Sequence, residues 1–561
     1  MGNDLSVVND LERARVRWLL DHLRLDPASR NHGGFVFEHG YADSRNSVYE
    51  AQHLFVVYLY PDFPEFHHSP ELLAALRAHL VFMKRRQMPD GSMGLGAGGV
   101  GGGNEVGFTL PGVCATYARL EKSGAPGREE MLAGLKEYIL RGAACVRSYW
   151  PYTSNHRWAA CAGPLACVQA LFPDPENIRT IEEYLSDGID IDAQGLYYEE
   201  RSPNYDSVAN AGLIELADYY GRRDLLDLVR RNLEFTLAMR QPCGEAETMF
   251  SHRQDRGEAG RPSGSYYFFK RMAVELGRGD FATAADLELR RLVAAPTDWA
   301  LCGFIPLRYL FDDPRLQAEE IPRTPISETM ALRCEGAPIR RWREGQRAMT
   351  LVADAGGHFW DATYGGWGVP NRSDLFLDFH AGAAVIDGIK LRWGNGSGGF
   401  RPEAIEDLPD GSLRLSYVDP GAEHFSHYRP KAKQERRRIE ADQRAEVIVT
   451  RTPGGVRLKV KIDGWPDQPV NIQLLLRETG TLCGDSLLRA GRTFTDGGAY
   501  ELAGPDGSRI AITGLPASGH TIGFGDDRVI AGAAERRCHR LIAGLFTPVA
   551  CEIAFEASPA S

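Results

Sequence analysis

The chain changes its hydrophobic period a little past its middle. From Leu11 to about Val293 the apolar residues recur at helical spacing: Met131, Leu135, Tyr138 and Ile139 share one face, and Leu226, Val229 and Leu233 repeat the pattern. The spacing predicts helices over 50–60, 70–87, 108–122, 129–149, 156–171, 178–185, 203–220, 224–240, 266–276 and 281–293. Beyond residue 328 the period becomes two. Val456, Leu458, Val460 and Ile462 alternate with Arg457, Lys459 and Lys461, and Ile472, Leu474 and Leu476 follow the same rule. PDG at 409, PGG at 453 and PDG at 505 mark hairpin turns between such runs.

Many helices of similar length, joined by long loops rich in Gly, Tyr, Asn and Arg and lacking a fixed repeat period, predict a complete or incomplete (α/α)6 toroid rather than a solenoid. The polar, proline-bearing stretch DDPRLQAEEIPRTPIS, residues 312–327, reads as a linker. The expected organisation is therefore a multi-domain α and β protein: a catalytic toroid over 1–311, the linker, and an antiparallel β-sandwich over 328–561.

With 561 residues, 43% hydrophobic and 25% charged, the composition is that of an ordinary globular protein. A formal charge of -11 excludes the basic surplus of a dedicated nucleic-acid binder, though an arginine pocket for an anion fits an acidic protein. The ten cysteines include no C-x-x-C pair, which reads as reduced thiols and not as a disulfide framework or zinc site. The opening stretch MGNDLSVVNDLERARVRW lacks the apolar core of a signal peptide, and no apolar run approaches the ~18 residues of a membrane span. A cytoplasmic protein without a membrane partner is the expectation.

Four stretches carry candidate chemistry. In TSNHRWAACAG, residues 153–163, Asn155, His156 and Arg157 open a helix and are followed by small residues suited to close packing. Amide, imidazole and guanidinium at a helix start suit a carboxylate. In EERSPNYDSVANAG, residues 199–212, Ser202 suits an N-cap and Pro203 the first helical position, which places Tyr205 in the first turn. A tyrosine near a helix start and an arginine can accept and return a proton. SHRQDRG, residues 251–257, brings His252 and Arg253; residues 30–53 bring Arg45 and Asn46 within a density of polar and aromatic types that suits sugar. GLGAGG, residues 94–99, satisfies G-x-G-x-x-G, but no strand or βαβ unit is expected around it, so it reads as a flexible loop. No second histidine at ligand spacing accompanies Asp374, Asp378 and His380, so no metal ligand and no cofactor are assigned.

The combination QMPDGS, TSNHRW, GLYYEERSPNY and SHRQDRG resembles the heparinase II/III-type polysaccharide lyases, and within them the rhamnose–glucuronate lyases. Those enzymes join an α/α toroid to a C-terminal β-sandwich, so the resemblance covers the whole chain in architecture. Its motifs are confined mostly to residues 87–110, 150–170 and 190–257. It implies β-elimination on a uronic acid: a base removes the C5 proton and the C4 glycosidic oxygen leaves. By resemblance, Asn155 and His156 neutralise the carboxylate, Tyr205 is acid, base or both, and Arg253 is a further charge partner. Arg157, Asn210, Glu200, His252, Arg45 and Asn46 are expected to contact an anionic, uronate-containing glycan. Two departures stand out: Asp206 follows the motif tyrosine, where many relatives carry histidine or asparagine, and the β half lacks an H-x-H-x-D run. Rival readings are a glycoside hydrolase, whose paired carboxylates would come from Asp43, Asp90, Glu105, Glu199, Glu200 or Asp206, or a non-catalytic glycan-binding protein.

Overall fold

The computed structural model describes residues 4–38, 40–95, 99–151, 156–197, 201–252, 265–294, 313–318, 320–334, 336–353, 375–393, 399–419, 422–425, 436–439, 443–484, 486–489, 492–523 and 538–558. The chain divides into two compact units: residues 1–237 with 262–326, and residues 238–261 with 327–561.

The first unit is helical. Its elements are α1 (Asp4–His22), α2 (Ser44–Leu59), α3 (Pro70–Arg86), a short ribbon of β1 (Met93–Leu95) and β2 (Gly99–Gly102), α4 (Gly103–Glu121) and α5 (Arg128–Arg147). A π-helix (His156–Ala162) then runs into α6 (Gly163–Leu171), followed by α7 (Pro175–Ser186), α8 (Pro203–Tyr219), α9 (Leu225–Ala238), α10 (Tyr266–Leu276) and α11 (Gly279–Ala294). Side-chain caps set several starts. Asp43 accepts the Asn46 N–H at 2.8 Å ahead of α2, and Ser69 and Ser202 cap α3 and α8, each with proline in the first turn.

Two rows of helices build this unit. Helices α2, α4, α6, α8 and α10 are successive neighbours in one row; α3, α5 and α7 are neighbours in the other, and α11 packs on α1. Helices α2 and α4 run parallel. Arg45 pairs with Glu105 at the starts of α2 and α4, and a Cβ on Gly112 would meet the Gln52 side chain at 1.5 Å, the same number of residues further along each helix. This is the helical toroid that the apolar period predicts.

Two starts differ from the periodic reading. Helix α2 begins at Ser44, well before residue 50, and α4 at Gly103, before residue 108. The extra turns hold Arg45, Asn46, Asn104 and Glu105, whose polar side chains hide the apolar period. Nor is the glycine-rich stretch only a loop: Met93 pairs with Gly102 and Leu95 with Gly99 in an antiparallel ribbon.

The second unit holds two large sheets, joined mostly by antiparallel pairs. The strands of this unit are β3 (Thr329–Cys334), β4 (Ile339–Glu344), β5 (Arg347–Val352), β6 (Leu377–Ala381), β7 (Ala384–Trp393), β8 (Glu406–Asp407), β9 (Leu413–Val418), β10 (Ala422–Phe425), β11 (Arg436–Ile439), β12 (Arg444–Arg451), β13 (Gly455–Asp463), β14 (Pro469–Arg477), β15 (Thr481–Cys483), β16 (Ser486–Arg489), β17 (Arg492–Thr495), β18 (Tyr500–Ala503), β19 (Arg509–Thr513), β20 (Cys538–Phe546) and β21 (Val549–Ser558). The eight-stranded sheet runs β15-β18-β19-β21-β13-β12-β9-β8 and the nine-stranded sheet β16-β17-β20-β14-β7-β6-β5-β4-β3. Phe379 of β6 and Phe555 of β21 meet in the shared core with ring centroids 6.2 Å apart, so the unit is a β-sandwich. Strand β13 shows the expected alternation, with Leu458, Val460 and Ile462 buried and Arg457, Lys459 and Lys461 exposed. Strand β14 does not: Asn471, Gln473 and Leu475 are buried as well, because β14 is central and a loop covers its second face, where Asn471 donates to the Ile522 carbonyl at 3.0 Å.

Candidate active site

The first turns of α2, α4 and the π-helix meet: Arg45 pairs with Glu105, and His156 and Ala160 lie against Phe108 and Gly107. Arg45 and Asn46 open α2, Glu105 opens α4, His156 and Arg157 open the π-helix, and Tyr205 opens α8. Helix starts carry unsatisfied N–H groups and partial positive charge, so several that meet favour an anion there.

Small residues make the close approach possible. A Cβ on Gly107 of α4 would fall 1.8 Å from the Ala160 carbonyl oxygen, and one on Gly212 of α8 would fall 2.2 Å from that of Trp158. Helices α4 and α8 thus press on the backbone of the π-helix with no side chain between. The run AACAG supplies the same smallness from the other side. The seven-residue π-helix, a form found mostly as single turns near functional sites, puts His156 against Phe108, ring centroids 5.5 Å apart and tilted by 58°. His156 and Arg157 are both half-buried.

Tyr205 is half-buried in the first turn of α8, where its N–H meets the Ser202 hydroxyl at 3.4 Å. Its neighbour Asp206 turns inward. Asn232 Nδ2 donates to Asp206 Oδ2 at 3.2 Å and to the Gly195 carbonyl at 2.9 Å, while Asn232 Oδ1 accepts from Asn210 Nδ2 at 2.7 Å. The Tyr197 hydroxyl donates to Asn210 Oδ1 at 3.0 Å. Burial first, then the charges of Asp206 and Asp190, hold the Tyr197 phenol well above its ordinary range, so it remains a donor. Asn210, 1% exposed and engaged at both polar atoms, is therefore corrected from a ligand contact to a buried brace of α8. The same network accommodates the Asp206 departure: its carboxylate is buried and accepts from Asn232.

Arg45 and Asn46 stand together. Arg45 Nη1 lies 3.1 Å from Glu105 Oε2, and its Nη2 donates to Asn46 Oδ1 at 3.3 Å. Burial pushes the Glu105 carboxyl above its usual value, against the pull of Arg45. His53, from the same polar-rich stretch, is instead a core residue whose Nδ1 sits 2.8 Å from Glu12 Oε1. Asn155, Glu200 and Arg253 lie outside the described residues. His252 is described and falls in the second unit, with residues 238–261.

Two residues, Asn232 and Trp150, escaped the sequence reading, and Glu105 entered it only as a hydrolase carboxylate. Asn232 is the hub of the network behind Tyr205, and Glu105 is the partner of Arg45. Trp150 is 50% exposed and stacks on Tyr184, centroids 4.1 Å apart, while the Tyr184 hydroxyl holds the Tyr149 carbonyl at 2.7 Å. Only Trp150 had a signal, its place just before TSNHRW. The others needed the tertiary pairing. Among the described residues no group of three or more His, Cys, Asp or Glu is placed to hold a metal ion.

The chain thus combines a helical toroid with a β-sandwich, and solved structures of the same architecture are polysaccharide lyases. It is similar to heparinase III at TM-score 0.58 and 12% identity, covering 98% of this chain and 85% of that one. A mutant of heparan sulfate lyase HepC from Pedobacter heparinus follows at 0.51 and 12%, covering 98% and 83%. Chondroitin AC lyase from Streptomyces coelicolor A3, solved with chondroitin sulphate, gives 0.51 and 12%, covering 99% and 78%. No protein-family model and no curated protein sequence matches the chain.

Proposed function

We propose that the protein is a carbon–oxygen lyase that cleaves an anionic glycan at C4 of a uronic acid by β-elimination. The observation that supports this reading is the meeting of the helix starts that carry Arg45 and His156, beside α8, which opens at Tyr205 and packs on the π-helix. The C5 proton is too weak an acid to leave unless charge developing on the carboxylate is stabilised. Preorganised donors and helix dipoles supply that stabilisation before the reaction begins. His156 and Arg157, with Asn155, serve as the carboxylate clamp. Tyr205 takes the C5 proton, returns one to the leaving C4 oxygen, or does both. Arg45 and Asn46 contact the glycan and Trp150 offers its outer ring face to a sugar; Glu200, His252 and Arg253 are assigned to substrate by the sequence motifs alone.

The neighbouring solved structures, lyases named for heparin, heparan sulfate and chondroitin, support the reaction class by fold. The finer proposal, a rhamnose–glucuronate linkage, rests on the motifs QMPDGS, TSNHRW, EERSPNY and SHRQDRG alone. The test is ultraviolet absorbance on a panel of uronate glycans that includes rhamnose-capped arabinogalactan. Elimination leaves a C4=C5 double bond conjugated to the carboxylate, which absorbs. A rise on one substrate supports the lyase and names the linkage; new reducing ends with a flat trace would mean hydrolysis.

A further inference from the structure

In the second unit, residues 238–252 form a strap laid against the nine-stranded sheet. Its turn closes on itself. Gly244 N–H reaches the Gln241 carbonyl at 2.8 Å, Glu247 N–H reaches the Met239 carbonyl at 2.9 Å, and Gly244 takes the φ of +87° that the turn requires. Arg341 of β4, its side chain fully buried, holds the upstream foot by donating to the carbonyls of Ala238 and Arg240, each at 2.8 Å.

Two carboxylates hold the downstream foot, one from the strap and one from the sheet. Glu247 Oε2 and Asp378 Oδ2 of β6 accept from the same nitrogen, Gln241 Nε2, at 2.5 and 3.0 Å. Thr350 of β5 also serves both: its hydroxyl donates to Glu247 Oε2 at 2.8 Å and its N–H to Asp378 Oδ1 at 2.7 Å. Glu247 Oε1 accepts the Met249 N–H at 2.7 Å, which fixes the backbone just ahead of Ser251 and His252. Glu247 and Asp378 are both buried, so no bulk water screens one from the other.

Two ionised carboxylates at this spot would need two cations. Among the described residues one reaches Glu247: Arg341 Nη1 stands 3.6 Å from Oε2. The other charged groups on the packed elements are engaged elsewhere. Arg343 of β4 turns Nη1 to the Arg240 carbonyl at 3.4 Å, and Arg477 of β14 pairs with Asp387 of β7 at 2.7 Å and with Glu245 of the strap at 2.9 Å. His380 of β6 lies 3.4 Å from Asp378 Oδ2, and an imidazole can only lose charge as pH rises. Cys243, on the strap itself, can add only negative charge. Like charges buried side by side keep a proton between them, and burial with the field of Asp378 holds the Glu247 carboxyl up to about 8.

We propose that Glu247 and Asp378 form a proton-held clasp: one proton shared between them fastens the strap to the sheet, and its loss releases the strap. The proton leaves to solvent, and two facing carboxylates remain. Because Glu247 stands on the strap and Asp378 on the sheet, their repulsion acts across the contact itself. The strap then lifts locally, while the sandwich core stays folded. It runs into the motif SHRQDRG, so the clasp sets the pH range over which the approach to His252 is held. That consequence for substrate rests on the proposed function; the clasp does not.

The test is hydrogen–deuterium exchange of the full chain across a pH series, resolved by peptide and corrected for intrinsic exchange. A carboxyl raised in the folded state stabilises below its ordinary 4.5 and ceases to do so towards about 8. Protection of peptides within 238–252 should therefore fall by about tenfold per pH unit between those values and level off above them. Those peptides should also be less protected than β13 at every pH, the mark of a local opening. Protection equal to that of β13 means that the strap opens only with the whole unit, and it overturns the clasp, as does a pH-independent wild type. Glu247→Gln keeps the shape and removes the titrating group, so the fall should vanish; a fall that persists refutes the proposal. Asp378→Asn leaves Glu247 facing Arg341 alone and should shrink the fall. An undiminished fall in that variant breaks the pair on which the clasp depends.

Discussion

Asn232 and Asp206 are joined by a buried hydrogen bond of 3.2 Å, and through it helix α9 fixes the first turn of α8, where Tyr205 stands. Asp206 is 4% exposed and Asn232 fully buried, so the bond between them is shielded from water. Replacing Asn232 by leucine removes one hydrogen bond from the Asp206 carboxylate and strands the Asn210 amide. A buried polar group left unmade costs on the order of 1–3 kcal/mol, and more for a charged one. The expected outcome in denaturant titration is a loss of that size, while Asn232→Asp should lose more at neutral pH than in mild acid.

Tyr205→Phe keeps the ring and the helix and removes one hydroxyl. If Tyr205 transfers the proton, turnover should fall by roughly two to four orders of magnitude with the unfolding midpoint little changed. Steady-state rates on the substrate found in the absorbance panel, with thermal melting beside them, decide it. A near-normal rate removes Tyr205 from the mechanism.

His156→Ala tests a different contribution. A donor that acts on charge developing in the transition state should cost about 10²–10³ in kcat when removed, with a smaller change in KM. A raised KM at unchanged kcat would make His156 a binding residue only.

Gly107→Ala tests the close approach that brings α4 to the π-helix. The new Cβ would fall 1.8 Å from a backbone oxygen, Ala160 O, which no rotamer can relieve. Overpacking of this kind costs roughly 1–3 kcal/mol or more, and the displaced π-helix carries His156, so stability and activity should fall together. An unchanged melting temperature would refute the packing.

The pH dependence of stability has a named source in the second unit. Glu247 is buried beside Asp378 and bonded by Gln241 at 2.5 Å and Thr350 at 2.8 Å. Burial first, then the field of Asp378 and a hydrogen bond shared with it, push the Glu247 carboxyl up to about 8, against the pull of Arg341. The folded unit therefore holds a proton that the unfolded chain releases above its ordinary 4.5. Its contribution is fully present below that value and is lost as pH rises towards about 8. Glu247→Gln should flatten the fall in melting temperature across this window. An equally steep fall in the variant would assign it to other groups.

Much of the architecture was legible in the chain because periodicity reports burial. Strand β13 alternates as its sequence does, and the α8 start follows from Ser202 and Pro203. Legibility failed where both faces or neither face of an element is apolar. Strand β14 is buried on both sides, and the first turns of α2 and α4 are polar because they open towards the candidate site.

The sequence by itself determined the change of period, the two kinds of core and the residue types at the candidate site, since propensity, capping and hydrophobic spacing are local. Tertiary structure alone decided which polar groups do which work. Asn210 and Asp206 look like ligand contacts in the chain, yet Asn232, over twenty positions further on, turns both inward. His53 looked like part of a sugar loop until Glu12 claimed it in the core. The reason is physical: a side chain's chemistry depends on the charges and donors within a few ångströms, and those come from segments that only folding brings together.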